Sequence, residues 1–216
     1  MDNRGLLQLF AWLSPSFPTG GFAYSHGLES AIADRLITDP ETLRIWLGDV
    51  LIHGSGRNDA ILLRSAYRAS GDRKALNGIA ELAAALSSSR ERRSETLDQG
   101  ASFVAAAAPW DPPELPKPVA YPVAVGALAA RHGVDEDATT VAYLHAFAAN
   151  LISAAVRLVP LGQNAGLRVL AALASSALGV MAESRTATLD EIGGCAFRSE
   201  LAAMHHETLY TRLFRS

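Results

Sequence analysis

Two long segments of the chain repeat apolar residues with the spacing of an α-helix. Residues three and four apart share one face of a helix, whereas side chains alternate between the two faces of a strand. Small side chains alternate with large ones in both segments, so we expect two long helices that approach each other closely. The two stripes consist of Val141, Leu144, Ala148, Leu151, Ile152 and Ala155, and of Leu167, Leu170, Ala174, Ala177, Leu178 and Met181.

The composition extends this helical pattern to the rest of the chain. Alanine, the strongest helix former and a poor strand former, occupies 39 of the 216 positions. Asp39-Pro40, Ser88-x-x-Glu91 and Asp135 are typical helix starts, and no alternating run bounded by hairpin turns indicates a strand. We therefore predict an all-α bundle of about nine helices, over residues 24–34, 40–53, 57–70, 73–87, 90–107, 121–132, 136–158, 164–182 and 196–211.

Prolines mark one long connection. Six of the ten prolines lie between Pro109 and Pro122, a density that excludes a helix and predicts an extended connector over residues 109–118. A connector of this kind can divide two domains, but each half would be near the lower size limit for a stable core. We therefore predict a single domain over residues 1–216, with a Pro/Gly-rich N-terminal segment, residues 1–23, and a distinct tail, residues 205–216.

Charge and cysteine content exclude several classes of protein. A net charge of −3 provides no basic field for nucleic acid or an anionic membrane. A single cysteine, Cys195, excludes an intrachain disulfide and a thiolate metal cluster. The N-terminus lacks the cleavage site of a signal peptide, and no uninterrupted apolar run approaches the ~18 residues of a membrane span. We expect a cytoplasmic protein that binds neither nucleic acid nor membrane.

The sequence contains no convincing catalytic motif. Lys74 and Lys117, the only lysines, both lie outside any phosphate-binding glycine loop. Residues 23–27, Ala-Tyr-Ser-His-Gly, superficially resemble a nucleophile elbow, but that elbow needs a strand-to-helix turn. We predict no catalytic residue; a hydrolase that uses Ser25 is the alternative. The mixed-sign run over residues 89–95 is interpreted as a solvated helix face with internal ion pairs.

The histidines do not form an evident metal site. Neighbouring side chains such as His205 and His206 diverge by ~100° around a helix, so the two rings cannot readily chelate one ion. No His-x-x-x-His pair occurs in the sequence. We predict no resident metal and no cofactor, with direct metal binding through His26, His205 or His206 as the alternative.

Three blocks of the sequence resemble a known family. The first block, residues 13–29, contains Ser-Pro-x-x-Pro-x-Gly-x-Phe-x-Tyr-Ser-x-Gly-Leu-Glu; the second spans residues 150–163 and the third residues 206–216. In this order and spacing they closely resemble the UreF family of urease accessory proteins. Gln99-Gly100 and the segment from Pro122 to Gly126 are weaker matches, so the resemblance covers nearly the whole chain. Tyr121 stands where a histidine is expected, and the connector is unusually rich in proline.

The resemblance implies an all-α protein that is not an enzyme. Proteins of this family dimerise and bind a second accessory protein, UreD, called UreH in some organisms. The pair recruits the GTPase UreG to the urease apoprotein, where nickel incorporation follows GTP hydrolysis. Nickel is then the cargo of the pathway. A metallochaperone that carries nickel directly through its histidines is the alternative, and a true GTPase activator is a further one.

The same resemblance points to candidate contact residues. Aromatic and arginine side chains are frequent anchors of protein interfaces. Glu29 and Arg157 are candidates to face the GTPase; alternatively Glu29 forms an internal salt bridge and Arg157 caps its helix. The first-block aromatics can instead fill the bundle, and the tail can dock on its own chain. The candidates for binding UreD/UreH or a second copy are Phe17, Phe22, Tyr24, Tyr210, Arg212, Leu213, Phe214 and Arg215.

Overall fold

Helices connected by loops and short 3-10 turns make up the whole described chain. The computed structural model describes residues 2–216, and no strand occurs within them. The all-α prediction is therefore confirmed. The helices are α1 Asn3–Trp12, α2 Leu28–Ala33, α3 Pro40–His53, α4 Ser55–Arg68, α5 Arg73–Ala85, α6 Arg90–Ala106, α7 Tyr121–Arg131, α8 Glu136–Leu158, α9 Gln163–Glu183 and α10 Phe197–His206.

Local capping signals determine the helix starts that the sequence predicts best. The Asp39 carboxylate accepts hydrogen bonds from two backbone N–H groups of the first turn of α3, both at 2.9 Å. Asp135 accepts one at 2.8 Å at the start of α8. Helix α6 is capped by Ser89, which accepts from the N–H three residues later at 3.1 Å. The cap predicted at Ser88 is therefore wrong by one residue.

The N-terminal segment differs most from its prediction. Helix α1 occupies most of the first half of residues 1–23, where the sequence predicts none, and it buries Leu9 and Trp12 in the core. The helix predicted from residue 24 begins only at Leu28. His26 and Gly27 have φ values of 61° and 80°, which lie in the left-handed region and are incompatible with a continuous helix.

The core consists of two clusters of buried apolar side chains. Helix α7 lies at the centre of the first cluster, and α3, α8 and α9 form most of the second. Gly126 permits the close approach of α7 to α4, because a Cβ at this position would lie 2.1 Å from the Leu63 carbonyl oxygen. Between α6 and α7 the proline-rich segment forms no α-helix, and its one 3-10 turn places Trp110 against Trp12 with ring centroids 6.2 Å apart.

Helices α8 and α9 are long and apolar enough to cross a membrane by length and composition alone. Both helices pack against each other and against α3 within the bundle. A core helix of a soluble protein meets the same two criteria, so this finding is weak support for a membrane span.

Candidate functional site

The tail folds back onto the first block, although nearly the whole chain separates them. The N–H of Arg215 donates to the carbonyl oxygen of Ala23 at 2.8 Å, and the N–H of Ser25 donates to that of Ser216 at 2.9 Å. The Ser25 hydroxyl donates to the same Ser216 oxygen. Ser25 is fully buried. In this structure the Ser25 hydroxyl therefore holds the tail.

Glu29 is the main acceptor for the tail. It lies in the first turn of α2 and is 8% exposed. Its Oε1 accepts from the N–H of Leu213 at 2.7 Å, and its Oε2 accepts from the N–H of Phe214 at 3.0 Å. The carboxylate is therefore buried and its hydrogen bonds go to the tail, which matches the alternative of an internal contact; a GTPase-facing role for Glu29 stays a prediction.

His206 joins the end of α10 to two other helices. The side chain is fully buried, with Nδ1 2.6 Å from Glu91 Oε2 and Nε2 3.1 Å from Glu29 Oε2. The Arg212 guanidinium donates to the other oxygen of Glu91. Each ring nitrogen therefore has a carboxylate oxygen within hydrogen-bond distance. His206 thus ties the base of the tail to α2 and α6.

A second buried group receives the end of the tail. The Ser216 hydroxyl donates to Glu95 Oε2 at 2.7 Å, and Arg92 donates to the same carboxylate. Burial alone would raise the pKa of Glu95, but the Arg92 guanidinium and His26 hold it well below its usual range. Burial, helped by the Arg92 charge, lowers the pKa of His26 to about 4. His26 is therefore neutral at pH 7.

The histidines of the metal-carrier alternative are engaged within the chain. His26 has Nδ1 3.3 Å from Glu95 and Nε2 2.7 Å from the Ser55 hydroxyl. His206 likewise has a partner at each ring nitrogen, whereas His205 is exposed. Within residues 2–216 no group of three or more histidine, cysteine or acidic side chains is arranged to hold a metal ion.

The aromatic candidates of the first block divide between core and surface. Tyr24 is buried, which matches the alternative that the first-block aromatics fill the bundle. Its hydroxyl donates to Asp98 at 2.8 Å, and burial together with this hydrogen bond raises the pKa of Tyr24 to about 12. Phe17 is half-buried, with its ring 5.4 Å from that of Phe103. Phe22 is 72% exposed.

Arg157 connects the second block to the other two. Its guanidinium donates to the carbonyl oxygens of Ser153 at 3.1 Å and Phe22 at 2.9 Å, and lies 4.5 Å from the centroid of the Phe214 ring. These contacts match the interpretation of Arg157 as a residue that caps α8 and holds the following turn. The side chain remains exposed, so a GTPase-facing role stays a prediction.

The outward side of the tail is apolar and basic. Tyr210 is fully exposed, Leu213 is 76% exposed, and both flank the exposed side chain of Arg212. Phe214 points inward and is buried, so the inward and outward sides of the tail differ in character. We call the exposed set of Phe22, Tyr210, Arg212, Leu213 and Arg215 the tail surface.

A cavity of about 560 Å³ lies beneath the first block, lined by its loop and by polar groups of the bundle. Asp59 lines both this cavity and a smaller one of about 90 Å³. The Tyr143 hydroxyl donates to Asp59 at 2.7 Å, and burial raises the pKa of Asp59 to about 6. An acidic side chain that titrates near neutrality therefore sits in the wall between the two cavities.

Comparison with known proteins covers all three blocks. The UreF family model matches residues 37–174. Three proteins named urease accessory protein UreF align over nearly their full length. That of Mesorhizobium japonicum is 48% identical over 100% of this chain and 98% of its own. That of Rhizobium etli is 45% identical over 100% and 98%, and that of Xanthobacter autotrophicus is 50% identical over 98% and 91%. The chain belongs to the UreF family.

The tail contacts of this UreF-family chain involve acidic residues of α6 that the sequence did not indicate as partners of the tail. Glu91, Glu95 and Asp98 of α6 lie at positions i, i+4 and i+7 and contact the tail or Tyr24. The interpretation of residues 89–95 as a solvated helix face is therefore wrong for Glu91 and Glu95. The spacing of these three acidic residues is the one feature of the sequence that places them on the same face of α6.

We expect Asp59→Asn to stabilise the protein at pH 7 by about 1 kcal/mol. This gain in stability is smaller than the shift in pKa alone would give, because Asp59 is only half-buried and solvent screens its charge. The folded-state pKa of Asp59 is raised above the unfolded value, so its contribution to stability is fully present at low pH and is lost as pH rises through about 6. Asparagine is neutral and retains an acceptor for Tyr143. Urea unfolding at pH 4 and pH 7 measures the difference, which should vanish at pH 4. Exposed Asp49→Asn is the control, and equal stabilities at pH 7 would contradict the prediction.

Proposed function

We propose that this chain is a cytoplasmic urease maturation factor that performs no chemistry itself. In this proposal it binds a UreD/UreH accessory protein, forms a homodimer, and recruits the GTPase UreG to the urease apoprotein. It couples GTP hydrolysis there to the incorporation of nickel, which is cargo and not a resident cofactor. Family membership supports the role in urease maturation.

The observation that carries the proposal is the two-sided tail. Hydrogen bonds to Glu29 and Glu95 fix the tail from within, and its fixed outer side exposes Tyr210 and Leu213 to solvent. Large apolar side chains held outward beside arginines are typical of a protein-binding surface. A preformed surface of this kind also avoids much of the entropy loss on binding. A partner with apolar pockets flanked by carboxylates fits it, since arginine forms forked hydrogen bonds with carboxylates.

We expect Leu213→Asp to weaken binding of the UreD/UreH partner by about 30-fold while the bundle stays folded, because the interface would have to bury an unpaired carboxylate where it now buries an apolar side chain. Coexpression and co-purification with the UreD/UreH homologue of the same organism, followed by light scattering, would measure complex formation. A chain ending at Met204 removes every residue of the tail surface except Phe22 and should form no stable complex. Leu7→Asp, at an exposed leucine of α1, is the matched control.

Two outcomes would contradict different parts of the proposal. Unchanged binding by both the Leu213→Asp variant and the chain ending at Met204 would show that the tail surface is not the recognition site. The absence of any complex with the unmodified chain would contradict the scaffold function itself.

A further inference from the structure

The outward face of α9 is apolar and has no partner within the described chain. The helix buries one side against α3 and α8, through residues such as Val169 and Leu173. On the other side, Leu167 is 63% exposed and Leu178 is 51% exposed. On the same face between them, Ala171, Ala172 and Ser175 are exposed as well. An apolar helical face that runs ~17 Å from Leu167 to Leu178 is unusual on a free surface.

Charges lie only near the two ends of this face. Arg168 lies in the second turn of α9 and Glu183 is its last residue, and α9 carries no other charged side chain. Glu183 pairs with Arg57 at 3.0 Å, yet its side chain remains 56% exposed. The face therefore has a positive end, an uncharged centre of small and apolar side chains, and a negative end.

We propose that α9 pairs with α9 of a second copy of this chain, antiparallel and about a two-fold axis near Ser175. This inference rests on the proposed homodimer and names its surface. A two-fold interface brings the same surface of both copies together, so it must be complementary to itself. In this arrangement two residues face each other when their numbers sum to about 350, because both helices rise by the same distance per residue from the axis near Ser175.

In that arrangement the two α9 faces are complementary in side-chain size and in charge. Leu178 of one copy lies over Ala171 and Ala172 of the second, and small side chains at the centre allow the backbones to approach. Arg168 of each copy lies beside Glu183 of the other. A parallel pairing would instead place like charges together at both ends, which is unfavourable. The charge pattern therefore selects a second copy in antiparallel orientation as the occupant.

The first test places a charge at the centre of this face. We expect Ala171→Glu to raise the dissociation constant of the dimer by at least about 100-fold, because two unpaired carboxylates would be buried in one apolar interface. Sedimentation equilibrium at several concentrations measures this constant, and circular dichroism verifies folding. Ala105→Glu, the same substitution at an exposed position of α6, is the matched control and should leave the dimer intact.

A charge exchange supplies the second test. Arg168→Glu and Glu183→Arg each place like charges together and should weaken the dimer, whereas the double variant should restore it. A folded Ala171→Glu variant that dimerises as tightly as the unmodified chain would overturn the α9 surface and leave the homodimer standing. An unmodified chain that is monomeric at all concentrations would overturn the homodimer itself.

Discussion

Replacing Glu29 with alanine should release the tail while leaving the rest of the bundle folded. The carboxylate accepts from the backbone N–H groups of Leu213 and Phe214 and contacts His206. Alanine offers no acceptor, so these donors would remain buried without partners unless the tail opens to water. Each such group costs about 1–3 kcal/mol, and the tail can avoid this cost only by giving up the burial of Phe214. We expect the free energy that favours the closed tail over the open tail to fall by about 3 kcal/mol. This change raises the equilibrium constant for opening by about 150-fold.

Hydrogen exchange at the amides of Leu213 and Phe214 measures this opening directly. Protection at both amides should fall, whereas amides in the centre of α7 should be unaffected. Exposed Glu41→Ala removes a carboxylate that pairs with Arg44 on the surface, and it is the matched control. Unchanged protection of the two amides in the Glu29→Ala variant would show that Glu29 does not hold the tail.

The released tail also connects stability to the proposed function. A tail that opens freely must be ordered again when a partner binds, and that ordering reduces affinity. The Glu29→Ala variant should therefore bind the UreD/UreH partner less tightly, although Glu29 lies beneath the tail surface and not within it. Comparison with Leu213→Asp separates the two contributions, because that substitution alters the surface and leaves the Glu29 carboxylate in place.

Local signals account for the parts of the fold that the sequence predicts well. Helix α3 spans the predicted residues 40–53 and α8 the predicted residues 136–158, because Asp39 and Asp135 cap the chain within a few residues of themselves. Helix α2 starts late for a reason that the sequence hides, since His26 adopts a positive φ that residue type alone does not require. The sequence does not predict helix α1, because the prolines and glycines that follow it within residues 1–23 favour an irregular segment.

The site depends on contacts that no local pattern contains. Glu29 and Phe214 are 185 positions apart in the sequence, and His206 and Glu91 are 115 apart. Family resemblance marked the first block and the tail separately as important, but it did not indicate that they bind each other within one chain. The possibility that the tail docks on its own bundle was open from the sequence. The structure confirms that docking, and it leaves the outer side of the tail available to a partner.

Arg64→Ala should have the largest effect on global stability of any single substitution considered. Arg64 is 1% exposed and lies in α4, where it faces the start of α8 and the end of α9. Its guanidinium donates to Asp137 at 2.6 Å, to the Ser184 hydroxyl at 2.9 Å and to the carbonyl oxygen of Met181 at 2.9 Å. One side chain therefore satisfies polar groups from two other helices inside the bundle.

Removal of Arg64 leaves both a cavity and unpaired acceptors. Asp137 keeps its ion pair with Arg185 and Glu136 keeps its pair with Arg68, so the acidic groups are not left without cations. The loss is therefore smaller than for an isolated buried pair, and we expect about 3–4 kcal/mol. At about 2–4 °C per kcal/mol for a chain of this size, Tm should fall by about 10 °C.

Thermal unfolding followed by circular dichroism measures this change. Arg64→Met, which fills the space without hydrogen bonds, separates the effect of the cavity from that of the unpaired acceptors. Arg44→Ala removes an arginine from an exposed ion pair within one helix and should change Tm little, because solvent screens such pairs. A fall in Tm for Arg64→Ala no larger than for Arg44→Ala would contradict the prediction. A Met variant as unstable as the Ala variant would assign the loss to the hydrogen bonds of Arg64, because the methionine fills the cavity without replacing them.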